Sequence, residues 1–304
     1  MRAPPLGACP RAVRMSHTVE GMRWQATRPE RGRPWSRFAG LSRRRRLLLA
    51  AVACLVLAAV GSVVAVAAGG GDRQPGAAGP DGPAQDKPGP VVLVPGYGGS
   101  TSSLDALASR IRASGRAATV VQLPGAGTGS LLADAALLNS AVDSYLRQGA
   151  PSVDVVGYSA GGVVALIWAR HDDGAARARR IVTLGSPFHG TRLAATAEAL
   201  VPGACPAACQ QLVPGSPLLD SLGVTDPAGL PRWLSLWTTD DQVVTPPDSS
   251  RLAGAIDVGV QSVCPAARIS HSELPTSPVV VAMVLQALGP APLAAPTAAD
   301  CISS

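Results

Sequence analysis

The chain has 304 residues, enough for one full-sized α/β domain with attachments. Its net charge of +6 is uneven, because residues 1–46 carry 12 Arg against 2 Glu while the rest of the chain holds 14 basic and 18 acidic side chains. The basic character belongs to a tail, and the acidic remainder excludes the electrostatic footprint of a nucleic-acid-binding body.

Residues 1–46 show no hydrophobic periodicity and read as a disordered cytoplasmic tail. Residues 47–68 hold no charge in 22 positions and come directly after Arg43, Arg44, Arg45 and Arg46, the pattern of a helix inserted with its basic end in the cytoplasm. Two outcomes stay open: a retained transmembrane anchor, or a signal segment cut near Ala67, where Ala65, Val66 and Ala67 supply small residues. Both export the remainder of the chain. Residues 69–90 are Gly, Pro and Ala with scattered charges, a composition suited to a linker, and the globular domain is expected over 91–304.

Four cysteines fall in that domain: Cys205, Cys209, Cys264 and Cys301. In an oxidising compartment they read as two disulfides, with three connectivities open, of which Cys205 to Cys209 and Cys264 to Cys301 is the most local. Zinc is disfavoured because none of the histidines falls near Cys205 and Cys209 with ligand spacing.

Within the domain, short runs rich in Val and Ile at 91–94, 118–123, 153–156, 181–184 and 233–237 read as strands. Between them run helical stripes: Leu104, Leu107 and Ile111, then Leu131, Leu132, Ala135, Leu138, Val142, Tyr145 and Leu146. A small strand at 255–260 and a last helix near 279–288 complete the series. The alternation predicts an α/β fold with a mainly parallel central sheet, helices on both faces, and ligands bound beyond the carboxyl ends of the strands.

The chemistry-bearing motifs fall at those ends. Asp154, Val155 and Val156 lead into Gly157, Tyr158, Ser159, Ala160 and Gly161, and then an apolar helix at 163–169. Gly-x-Ser-x-Gly between a strand and a helix is the nucleophile-elbow context, in which a strained turn lifts the serine clear of the sheet. Upstream, Pro95, Gly96, Tyr97, Gly98, Gly99 and Ser100 form an open turn after the first strand. Acyl transfer needs two fixed donors at the developing oxyanion, and the backbone N–H groups of Tyr97 and Ala160 are the candidates. A phosphate loop is disfavoured, since the Lys of a Walker motif is missing.

A serine nucleophile needs a base, and the chain has four histidines: His17, His171, His189 and His271. His17 lies in the tail. His171 stands twelve residues down the helix from Ser159, roughly 18 Å along its axis, and points to a helix end. His271 lies where a Ser, Asp, His chain order puts the base, and His189 is its competitor, with a loop-fixing role as the alternative. The acid must lie between Ser159 and His271, where Asp220, Asp226, Asp240, Asp241, Asp248 and Asp257 are available. Only Asp240 and Asp241 directly succeed a clear strand, and position alone does not separate them.

Taken together, residues 95–99, 157–161, 183–191, 239–244 and 269–271 resemble the secreted bacterial triacylglycerol lipases and esterases of the α/β-hydrolase superfamily, particularly the small Bacillus type and actinobacterial relatives. The likeness covers residues 90–290. It implies an α/β-hydrolase fold and ester hydrolysis through an acyl-serine, with Ser159, Asp241 and His271 as the catalytic set and Asp240 as runner-up for the acid. Tyr97 and Ala160 supply the oxyanion hole, and no metal or organic cofactor is required. Two positions depart from the family: Pro95 and Phe188 stand where histidines are common, which blurs the substrate class. The expected partners are a lipid or small-molecule ester and, through residues 47–68, the membrane; no nucleic acid is expected, and the chain is expected to be a monomer. The same triad would serve an acyltransferase, a polyester hydrolase or a peptidase, and a cell-envelope binding module that kept the scaffold is the non-enzymatic alternative. The apolar insertion at 192–228 either lines or covers a pocket or packs into the core.

Overall fold

The computed structural model describes residues 82–200, 203 and 205–301; the tail, the apolar run 47–68 and the linker up to residue 81 lie outside the described residues. Among the described residues no helix is long and apolar enough to cross a membrane.

Six strands form one sheet: β1 (Val91–Val94), β2 (Ala118–Val120), β3 (Val153–Tyr158), β4 (Ala178–Leu184), β5 (Arg232–Trp237) and β6 (Ile256–Gly259). They lie in the order β2-β1-β3-β4-β5-β6, and every pairing is parallel. The first crossover, through α1 (Ser102–Ala113), steps to one side of β1, and the second, through α2 (Leu131–Arg147), steps back past it to β3. The direction of winding therefore reverses between β1 and β3. Right-handed crossovers in opposite directions put the two helices on opposite faces.

The burial pattern agrees with this arrangement. Val92, Val94, Val155 and Ile181 pack with Leu131, Leu138 and Val142 of α2 and with α3 (Ala160–His171). Val91, Leu93, Val156, Val182 and Leu234 pack on the other side with Leu104, Leu107 and Ile111 of α1 and with Val280, Met283 and Val284 of α9 (Pro278–Leu288). Both faces are apolar, so the strands read as unbroken hydrophobic runs rather than alternating ones. Leu132 departs from the expected stripe: it is half exposed, because it lies one residue off the row set by Leu131, Ala135, Leu138 and Val142.

Strand lengths also differ from expectation. β2 stops at Val120, because after the Val121 N–H bonds the Leu93 carbonyl the chain leaves this edge strand for a turn at Pro124–Gly127. β4 begins earlier, at Ala178, through Arg179 and Arg180, both fully buried. The insertion after β4 folds into three short helices, α5 (Arg192–Leu200), α6 (Ala207–Gln211) and α7 (Pro217–Ser221). The cysteines pair as Cys205 with Cys209 and Cys264 with Cys301, with Cα separations of 5.6 and 5.5 Å. The first holds α6, and the second fastens Cys301 to the end of α8 (Val260–Val263).

At the amino end of the sheet lies a buried ionic cluster. Val153 pairs with Ala178 across the ladder while the next residue, Asp154, pairs with Arg180, so Arg179 is an extra residue in β4. This bulge lets two successive arginines face the same element. Arg179 grips the Asp154 carboxylate through both oxygens, at 3.0 and 2.5 Å, and Arg116 adds a third bond at 2.6 Å. The remaining guanidinium donors reach carbonyls at the end of α9: Arg179 to Leu288 and Gly289, Arg180 to Ala287 and Gly289. Cations are favoured there by the helix dipole and by carbonyls with no intrahelical partner. Burial lowers the proton affinity of Arg116 and Arg180, and Asp154 opposes that shift. Arg179 also donates to the Gln85 carbonyl, and Arg116 to that of Gly89, so residues 85–89 of the expected linker are bound to the domain.

Removing one partner of such a cluster leaves charge buried without compensation. Arg179→Ala is expected to cost about 3–5 kcal/mol of stability. Denaturant unfolding of the variant beside wild type measures it, and an effect under about 1 kcal/mol refutes a stabilising role for the pair.

Candidate active site

The reversal of winding between β1 and β3 opens a crevice beyond their carboxyl ends, the general ligand position in such sheets. The turns after these two strands carry Tyr97 and Ser159. Ser159 has φ 54° and ψ −127°, a left-handed backbone held in a non-glycine residue. Its N–H donates to the Leu184 carbonyl at 2.8 Å and its carbonyl accepts from Gly162 N–H at 3.0 Å.

The glycines around it are there for closeness. A Cβ on Gly157 would sit 2.5 Å from the Gly162 Cα, one on Gly161 would run into the Val94 carbonyl, and one on Gly162 would strike the Ser186 side chain. Helix α3 therefore starts hard against β1, β3 and the turn after β4. Gly96 makes the matching approach from the other turn, where a Cβ would lie 2.8 Å from that of Ser159. The turn is braced by the Gly99 N–H on the Gly96 carbonyl at 3.0 Å and by Ala126, whose backbone touches Gly99. Among the described residues, neither Tyr97 nor Ala160 gives its N–H to a backbone carbonyl in a turn or loop, and Ala160 opens α3, where first-turn amides lack intrahelical acceptors.

Of the candidate acids, the structure brings Asp241 to His271. The Nδ1 to Oδ2 distance is 2.7 Å, and both side chains are buried. The other carboxylate oxygen of Asp241 accepts the N–H groups of Val243 at 2.9 Å and Val244 at 2.8 Å, so the acid is held at both ends. With Asp241 ionised, Nδ1 carries the proton and Nε2 is left as an acceptor. Asp240 instead gives its backbone N–H to the Thr238 hydroxyl at 3.2 Å. Asp220, Asp226 and Asp248 are exposed in turns and short helices, and Asp257 is half buried, accepting the Leu252 N–H at 3.1 Å.

His171 is exposed at the end of α3, and His189 is exposed with its backbone N–H on the Ser249 carbonyl at 3.2 Å. Phe188 is buried edge-on against Trp233, with ring centroids 6.0 Å apart, and so belongs to the core. Among the described residues the Ser159 hydroxyl makes no hydrogen bond to His271; Ser159 is 8% exposed and borders an apolar cavity.

Several supports lie outside the motifs that single out Ser159, Asp241 and His271. Thr238, fully buried, donates to the Ile269 carbonyl at 2.7 Å and accepts from Gln261 at 2.8 Å, tying the loop of Asp241 to that of His271. Ser270 and Glu273 form a reciprocal cap around the 3₁₀ turn His271–Glu273. Gly185, at φ 56°, lies beneath the pair. The Ser270-x-x-Glu273 spacing, the signature of a capping box, and a polar residue directly after a strand, Thr238, are the traces these leave in the sequence.

Beside Ser159 opens a cavity of about 180 Å³, lined by Tyr97, Pro187, Leu193, Ala197, Leu212 and Val244 among others. Its walls are almost wholly apolar, and they come from α5, from the end of α6 and from the Asp241 loop. The insertion thus does both things expected of it as alternatives: Leu193 and Ala197 line the cavity, while Leu219 and Leu222 are core.

No protein-family model and no curated protein matches the sequence. Solved structures do match the fold. Lipase B of Aspergillus fumigatus superposes with a TM-score of 0.55 at 17% identity, over 66% of this chain and 52% of that one. The mature form of lipase BlEst2 of Bacillus licheniformis gives 0.53 at 19% identity, over 67% of this chain and 93% of that one. Its propeptide form gives 0.54 at 20%, over 71% and 53%. This chain thus spans about half the length of the Aspergillus lipase. The parallel six-stranded sheet and these likenesses are consistent with an α/β-hydrolase fold.

A Cβ on Gly185 would stand 3.1 Å from the His271 Nδ1 and 3.2 Å from the Asp241 Oδ2, on a backbone that disfavours any side chain. Gly185→Ala is therefore expected to part the two groups. The low-field proton resonance of an imidazole N–H bonded to a carboxylate reports this directly: it should be lost or moved well upfield in the variant, and an unchanged signal contradicts the geometry.

Proposed function

We propose that the domain is a serine carboxylic-ester hydrolase that works through an acyl-serine intermediate, with Ser159 as nucleophile, His271 as base and Asp241 as its orienting acid. The observation that carries this reading is the buried 2.7 Å pair of His271 and Asp241 beside a serine on a strained strand-to-helix turn.

The groups present supply each step. Substrate entering the cavity brings the Ser159 hydroxyl onto Nε2, a contact that often tightens only with substrate bound. Ser159 attacks the ester carbonyl as His271 takes its proton, and Asp241 stabilises the resulting imidazolium. The N–H groups of Tyr97 and Ala160 receive the oxyanion, a contribution of about 3 kcal/mol per donor in comparable sites. His271 then protonates the departing alcohol. Water repeats the sequence and frees the acid.

The apolar cavity supports acyl chains as the moiety held, and hence lipid-like esters as substrates. The fold's neighbours, lipases of Aspergillus and Bacillus, point the same way. Export is part of the proposal: two disulfides are compatible with an extracellular protein, and residues 47–68 supply an anchor or signal segment. Transfer to an alcohol in place of water would use the same groups, and product analysis with added alcohol separates the two.

Hydrolysis of p-nitrophenyl esters from acetate to palmitate, by the protein and by Ser159→Ala, tests the reaction. Turnover should fall on the order of 10⁴-fold or more in the variant. Turnover that survives the substitution overturns the assignment. A second variant reads the cavity: Ala197→Trp is expected to lower kcat/KM for octanoate and longer esters about tenfold or more while leaving acetate nearly unchanged. Equal loss on all chain lengths removes the cavity as the acyl site.

A further inference from the structure

Tyr158 stands between Gly157 and the nucleophile, a position where the motif itself asks for no particular side chain. Its placement is nonetheless specific. The phenol donates to the backbone carbonyl of His271 at 3.2 Å, across 113 residues of sequence. Its ring lies against the imidazole, with centroids 5.2 Å apart and planes inclined by 33°. Two separate parts of one side chain therefore address the same histidine.

We infer that Tyr158 is a positioning residue for His271: the hydroxyl fixes the backbone of the histidine turn, and the ring packs against the imidazole and limits its rotation. This rests on the reading of His271 as the base. The groups around the imidazole are few. Asp241 approaches from the loop after β5 and Tyr158 from β3. Glu273 shares its turn but is bound to Ser270, and Gly185 and Leu274 bring no charge. Burial and the Asp241 charge push the Tyr158 hydroxyl up to about 12, so it remains a donor throughout the pH range in which a histidine titrates.

Both contacts act on the orientation of the imidazole, and the low-field Nδ1 proton bonded to Asp241 reports it. Proton NMR of that resonance in wild type, Tyr158→Leu and Tyr158→Phe is the test, with His271 assigned by the signal lost in His271→Gln. Tyr158→Leu removes both contacts and should speed exchange of the proton about tenfold. Tyr158→Phe keeps the ring, and without the tie its low-field proton should exchange about threefold faster, with kcat falling about fivefold and KM unchanged.

Exchange in Tyr158→Leu no faster than in Tyr158→Phe overturns the role of the ring. A Tyr158→Phe protein with an unaltered low-field proton overturns that of the hydroxyl, and this arm holds if the leucine variant does not fold. The NMR readouts need no turnover. Faster exchange as expected in a protein that cleaves no ester would reject the hydrolase reading and leave the positioning intact, whereas full activity with unchanged exchange would do the reverse.

Discussion

Helix α3 cannot start where it does unless three glycines leave room for it. Gly157, Gly161 and Gly162 each stand where a single Cβ would meet backbone or a buried side chain, and the left-handed Ser159 lies among them. This closeness fixes the height of the serine above the sheet and brings the turn after β4 alongside. The second turn, at Gly96, is positioned against the same serine. Strain at one residue is thus held by packing on three strands, the condition under which such backbone geometry persists.

A different physics operates at the opposite end of the sheet. Two buried arginines, a partly buried third and one buried aspartate meet there, and their donors are spent on Asp154 and on the final carbonyls of α9. Ions so placed add stability only when every donor and lone pair is used, and here nearly all are. The arrangement fastens the end of α9, the helix that comes after the His271 turn, to β4. Fold and site are therefore clamped from both ends of the strands, by close steric fit at one and by ion pairing at the other.

The parallel sheet was legible in the sequence because its strands are unbroken apolar runs with amphipathic segments between them, and the elbow because its glycines are obligatory. Asp240 and Asp241 were not separable by position. What separates them in the structure is a hydrogen-bond pattern, two forward amides on one carboxylate oxygen, that depends on the path of the loop rather than on composition. The edge of β2 was overread, since nothing in the apolar run through Val121 tells an edge strand that its partner ends. The arginine cluster was invisible for another reason. Two adjacent arginines in a strand suggest a solvent-facing end, and only the bulge at Arg179, a feature of register, turns both inward.

The loop that holds the acid is also a wall of the cavity: Val243 and Val244 give Asp241 their N–H groups and line the space beside Ser159. Backbone donors are indifferent to the side chains they carry. This segment can therefore change the side chains it presents to the cavity, residue for residue, without disturbing the carboxylate, whereas a one-residue insertion or deletion would shift both amides and uncouple Asp241 from His271. Variation among descendants of this fold at these two positions would be expected to run through substitution and to stop at length change, making the loop at once the most adaptable part of the pocket and the least tolerant of indels.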